Sequence, residues 1–172
     1  MYILRKEDNT KIDMREKETE VTYVDGTTST YKSYQWLTRN NIPNIENASK
    51  VVIGDSIVWI ASETFVDCTE LKEVEMPDSI VTIFPSAFAG CTSLQSIVMP
   101  SGVTQILDYA FYNCKNLSSV TINNSKSKIE YCQQMFDKIN PNAKLYVPSN
   151  LLSAYKRDKK YNGAFKDGIE GT

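Results

Sequence analysis

Residues 51–119 consist of three tandem blocks of 23 residues: Val51–Glu73, Val74–Ser96 and Ile97–Ser119. The same chemistry recurs in column. Ile57, Ile80 and Val103 are followed by Ile60, Ile83 and Ile106, and then by Phe65, Phe88 and Phe111. Cys68, Cys91 and Cys114 come next, then Leu71, Leu94 and Leu117. One such coil cannot bury its apolar side alone, so coils must stack into a solenoid with a shared core. A scaffold of that kind displays surfaces, which points to binding rather than to catalysis.

Within each block the stretch Leu71 to Met76, Leu94 to Met99 or Leu117 to Ile122 alternates like a half-buried strand. Pro77 and Pro100 end it, since proline donates no ladder hydrogen bond. Ser86–Gly90 then reads as one helical turn that inserts Phe88, with Ala87 and Ala110 leaving room beside the rings. Three of the four cysteines share a column and no C-x-x-C pair exists. Cys68, Cys91 and Cys114 therefore read as a ladder of buried, reduced thiols, and Cys132 as a core thiol of a degenerate fourth coil.

The flanks differ. Residues 5–20 are dense in charge of both signs, as in a solvated strand pair or a mobile arm. Val21 to Tyr31 places β-forming residues on both sides of Asp25-Gly26, a hairpin signal. No Phe or Cys column is present before Ser49, so residues 1–48 read as an N-terminal cap or attachment segment, and 49–172 as the repeats with a C-terminal cap. After Val120 the pattern drifts: Gln133 to Phe136 and Asn140 to Asn142 replace the Phe and Cys columns. Leu145 to Pro148 starts one more strand, and Ser149 caps a helix running to about Lys160.

The block Met76 to Leu94 (MPDSIVTIFPSAFAGCTSL) resembles the BspA-type leucine-rich repeat. Leu145-Tyr-Val-Pro followed by Ala154-Tyr-Lys resembles the C-terminal cap of that family, giving a likeness over roughly residues 48–165. Phe84-Pro85 stands where the family usually has a glycine. The resemblance implies a mainly β fold with short helices: a right-handed leucine-rich-repeat solenoid of 23-residue coils, with a β-hairpin cap in front and a helical cap behind. It implies adhesive surface proteins of gut and oral bacteria, relatives in anaerobic protozoa, and phage head or tail proteins. It implies no enzyme and supplies no functional residues to carry over.

The chain has no histidine, which removes the commonest general base and every His-based nucleophile pair or metal site. Its seven glycines form no phosphate-cradling loop. No catalytic, cofactor or metal residues are assigned. Asp55 and Asp78 share a column, which allows a weak calcium site, but Asp-Ser is ordinary turn chemistry. The basic run from Lys156 to Lys160 reads as a solvated helix face. A net charge of −2 gives no footing for nucleic acid, and no apolar run is long enough for membrane insertion. The charged start reads as leaderless, or as a chain whose leader has been removed.

The expected binding face is the outward side of the stacked strands: Lys50 and Val52, Glu73 and Glu75, Ser96 and Val98, Ser119 and Thr121, Lys144 and Tyr146. It reads either as a flat contact for a protein or glycan on a host surface, or as a plain solvated sheet. Trp59 interrupts a column otherwise made of Thr82, Gln105 and Lys128, all expected to face outward. It either packs under the N-terminal segment or serves as an aromatic anchor. Two functional settings follow: a non-enzymatic adhesion module of a bacterial cell surface, or a virion protein with the repeats as binding face or spacer among other virion proteins.

Overall fold

The computed structural model describes residues 2–4, 11–13, 18–33 and 35–172; most of the charge-dense stretch 5–20 lies outside them. Strands β1 (Tyr2–Leu4) and β2 (Lys11–Asp13) pair antiparallel. β3 (Thr19–Tyr23) and β4 (Thr28–Tyr31) form the hairpin expected at Asp25-Gly26. Gly26 takes a left-handed φ of 84°, and the Asp25 carboxylate accepts from both the Thr27 N–H and its hydroxyl.

Beyond β5 (Gln35–Leu37) the chain follows a repeated path. β6 (Ala48–Val52), β8 (Glu73–Glu75), β10 (Ser96–Met99), β12 (Ser119–Ile122), β13 (Lys144–Val147) and β14 (Ile169–Gly171) lie along one row. β5, β7 (Ile57–Ile60), β9 (Thr82–Ile83) and β11 (Gln105–Ile106) form a second. Pairing within both rows is parallel, and Lys50 meets Glu73 while Trp59 meets Thr82, a step of 23 residues. The first row breaks once. β8 and β10 lie side by side without ladder pairing, which divides it into the sheets β4-β3-β6-β8 and β10-β12-β13-β14. β3 runs antiparallel along the outer edge of β6, Val21 opposite Val51.

The third side of the stack is made of turns, not the helical turn expected at Ser86–Gly90. Ser86 and Gly90 have left-handed φ values of 56° and 77°, as do Glu63 and Asp67, Tyr109 and Asn113, and Gln134 and Lys138 at equivalent places. The physical reason is in the hydrogen bonds. Alternate amides donate to the next coil: Ser86 to Asp108, Phe88 to Ala110 and Gly90 to Tyr112. A helix would send those donors along its own axis and leave the coils unbonded.

The core is built from the columns. Phe65, Phe88 and Phe111 stack at 4.9 and 5.2 Å, close to the spacing between neighbouring strands. Cys68, Cys91 and Cys114 are free and buried. Each thiol points at a carbonyl of the preceding coil, those of Ile45, Phe65 and Phe88, at 3.1–3.3 Å. The columns also run upstream of Ser49. Leu37, Ile42, Ile45 and Ala48 stand 23 residues before Ile60, Phe65, Cys68 and Leu71, and all are buried. Aliphatic residues take the Phe and Cys places there, so a search for those residue types alone misses this coil.

The fourth coil keeps the columns too. Ser119 pairs with Lys144, 25 positions on, so two residues are inserted. Phe136 then stacks on Phe111 at 5.4 Å, with Ile139 and Ala143 buried in the Cys and Leu places. The insertion lies near Cys132, which is only half-buried and is not a core thiol. Ser149 is not a helix cap: its hydroxyl donates to the Thr172 carbonyl. The expected single helix is two, α1 (Leu152–Arg157) and α2 (Lys159–Ala164), divided where Asp158 caps α2 by accepting from the Lys160 N–H. β14 follows, a strand the sequence pattern does not announce.

Candidate binding surfaces

On the first row the middle residue of each strand, Val51, Val74, Ile97, Val120 or Leu145, is buried, and its neighbours turn outward. All ten residues of the expected face are exposed or half-buried. They form two lines across the strands. Ser96, Ser119 and Lys144 stand in register on one, and Val98, Thr121, Tyr146 and Glu170 on the other. Val98 is 49% exposed, one of few large apolar side chains so open to water.

Charge is confined to the two ends of this face. Lys50 reaches Glu75 at 2.6 Å and Glu73 at 2.9 Å. Those contacts hold the Lys50 ammonium above its ordinary pKa and the Glu75 carboxyl below its own. At the other end Lys144 meets Glu170 at 2.9 Å. Between them Ser96, Val98, Ser119 and Thr121 are short and uncharged. Where the ladder breaks between β8 and β10, a cleft of about 410 Å³ opens beside Met76 and Val98.

A second apolar feature lies on the other row. Trp59 is half-buried against Trp36 (ring centroids 4.9 Å), and Trp36 also meets Phe84 at 5.0 Å. Trp36 itself is 41% exposed. Trp59 thus lies beneath an open tryptophan that the repeat pattern does not single out, because β5 belongs to the disguised first coil. Thr82 departs from its expected outward position: it is buried between Trp59 and Gln105, its row neighbours.

Asp78 does turn work. Its carboxylate accepts from the N–H and hydroxyl of Ser101 in the next coil, at 3.0 and 2.9 Å. The backbones come so close here that a Cβ on Gly102 would sit 2.0 Å from the Asp78 carbonyl oxygen. Among the described residues no group of acidic, cysteine or histidine side chains is arranged to hold a metal ion.

The profile of the BspA type leucine rich repeat region matches residues 37–157 in six copies. The chain belongs to the BspA-type leucine-rich repeat family. The start of the match at residue 37 agrees with the buried Leu37, Ile42, Ile45 and Ala48. A leucine-rich repeat protein from Bacteroides ovatus shares its fold with a TM-score of 0.58 and 27% identity, over 80% of this chain and 36% of the other. A leucine rich cell surface protein from Faecalibacterium prausnitzii aligns with a TM-score of 0.46 and 21% identity, over 96% of this chain and 42% of that one. This leucine-rich repeat chain therefore spans well under half the length of either protein. No curated protein matches it.

Proposed function

We propose that this chain is a non-enzymatic adhesion module displayed on a bacterial cell surface, binding a protein or glycan of the host through the outward side of its first strand row. The supporting observation is the uncharged centre of that face, Ser96, Val98, Ser119 and Thr121, bordered by ion pairs that hold the charges at its ends. Short side chains on a flat parallel sheet let a partner approach the backbone closely, and Val98 beside the cleft supplies apolar contact. Trp36 over Trp59 adds an aromatic anchor on the second row. The bacterial setting rests on the family and on the Bacteroides relative of like fold. In the same reading the stack is a short right-handed solenoid, the hairpin shields the edge of β6, and residues 1–48 cap or attach the module.

One such face is small, so firm attachment draws on many copies acting together. The test is retention of beads carrying the protein at high and low density on host-cell or glycan surfaces. Val98→Arg with Thr121→Arg places charge at the centre of the face without touching the core. Retention should fall while the melting temperature holds. Unchanged retention in that variant, with loss on Trp36→Ala, would move the binding site to the second row.

A further inference from the structure

We propose a second ligand site, for an anionic oligosaccharide bearing sulfate or uronate groups, in the groove between the outer loop of the fourth coil and α2. This groove has a volume of about 730 Å³ and lies between residues 131–141 and 159–166. Lys138, Lys159, Lys160 and Lys166 line it, and Asp137 is the one carboxylate in its wall. A chain of net charge −2 thus gathers four ammonium groups against one carboxylate in a single concavity.

None of the four lysines forms an ion pair with a carboxylate among the described residues. The ion pairs there fall on Lys32, Arg39, Lys50, Lys128 and Lys144 instead. Two of the four are nonetheless held in place. Lys160 donates to the Tyr131 carbonyl at 3.3 Å, and Lys138 lies 4.8 Å over the Tyr112 ring. Asp137 is engaged by the Tyr131 hydroxyl at 3.1 Å. The floor is closed by buried Phe136 and Ile139, and the two-residue insertion sets Tyr131 and Cys132 at one wall.

The class of ligand follows from what the groove lacks. Protein partners are anchored by large apolar or aromatic side chains in desolvated pockets. Among the described residues the exposed large apolar side chains are Val24, Trp36, Val81 and Val98, and none lines this groove. The exposed lining is dominated by the four lysines, with amides from Gln133 and Gln134 beside Asp137, Pro141 and Gly163, which suits a hydroxyl-rich polyanion. The site is separate from the strand face and stands or falls apart from it.

The test is calorimetric titration with a heparin-derived hexasaccharide at 20 and 150 mM salt. Binding should weaken at least tenfold with added salt, because exposed charges are screened over about 8–10 Å. The variant K138Q/K160Q/K166Q should lose at least tenfold in affinity, while K115Q/K126Q, changed at exposed lysines outside the groove, should bind as before. Gly163→Phe gives a second readout that keeps every charge: a side chain there meets open space, so it fills the groove without strain. It too should lose at least tenfold. V98R/T121R should leave this affinity unchanged, which separates the site from the strand face. Absence of binding at 20 mM salt, full binding by Gly163→Phe, or equal loss in K115Q/K126Q overturns the proposal. Tighter binding of polyglutamate or single-stranded DNA overturns the ligand class. So does self-association that vanishes with the lysine variant, which would assign the groove to the acidic cleft of Glu18, Glu20, Asp55 and Glu75 on a second copy.

Discussion

In the middle coils the Phe and Cys columns meet copies of themselves. Phe88 lies between Phe65 and Phe111, and Cys91 between Cys68 and Cys114, so one side-chain choice satisfies both neighbours. The end beyond β11 has no such copy to lean on. Ile129 stands where the next strand of the second row would lie, and two tyrosines replace that strand. The Ile129 N–H donates to the Tyr155 hydroxyl and its carbonyl accepts from the Tyr161 hydroxyl, both at 3.0 Å. Lys128 and Asp158 join α2 to the same strand position at 2.7 Å. The contrast teaches that a repeat is closed by polar groups matched to its unpaired backbone, whereas its interior is closed by apolar identity.

The largest effect should come from the interior. Phe88→Ala leaves a cavity between two rings and should cost about 3–5 kcal/mol in denaturant unfolding. A loss below about 1 kcal/mol would show that neighbouring coils slide to fill the gap.

At the end the corresponding change is subtler. Tyr161→Phe keeps the edge-to-face ring contacts with Tyr155 and Tyr131 but strips the Ile129 carbonyl of its partner. The expected cost is about 1–3 kcal/mol, with faster amide exchange confined to residues near Ile129 and α2. Equal exchange throughout the molecule would mean that the end and the middle unfold as one unit.

Asp158 sharpens the comparison through pH. Burial pushes its carboxyl pKa up, but the Lys128 hydrogen bond and charge and the Lys160 and Tyr161 N–H donors together outweigh that and hold it below the ordinary 3.8. A carboxyl with a depressed folded pKa stabilises fully above the unfolded value and loses that contribution as pH falls through the folded one. Asp158→Asn keeps a capping acceptor but loses the ion pair with Lys128, and should therefore cost about 1 kcal/mol at pH 7. The gap from the parent protein should shrink as the solution is acidified below pH 4. A gap that stays constant would show that the Lys128 ion pair does not carry the cost.

The smallest change in stability, and the clearest in reactivity, concerns the thiols. Burial raises the Cys68 pKa to about 11 and that of Cys114 to about 12, and drives Cys91 well above its ordinary value. At pH 8 a thiol reagent should label Cys132 alone in the folded protein, and all four in denaturant. Rapid labelling of the column in native buffer would break the ladder.

Much of the fold was legible because repetition makes a weak signal readable. One Phe-x-x-Cys-x-x-Leu means little, but three in register fix both the period and the buried side. The outward residues of the strand row followed from the same alternation. What escaped were positions where the physical role was kept and the residue type was not. Ile42 and Ile45 fill the Phe and Cys places of the first coil, and the two-residue insertion before Phe136 hid the fourth. Trp36 was passed over for the first reason, although its partner Trp59 was not.

The sequence by itself determined the period, the core columns, the hairpin at Asp25-Gly26 and the family. Each rests on local chemistry or on apolar groups that repeat along the chain. Only the tertiary structure decided the left-handed turns, the break between β8 and β10, the tyrosine closure at Ile129 and the lysine groove. Those depend on where backbone donors point and on which distant side chains come within a few ångströms. Lys138 and Lys166 are 28 residues apart in sequence and line one groove only because α2 folds back over the fourth coil.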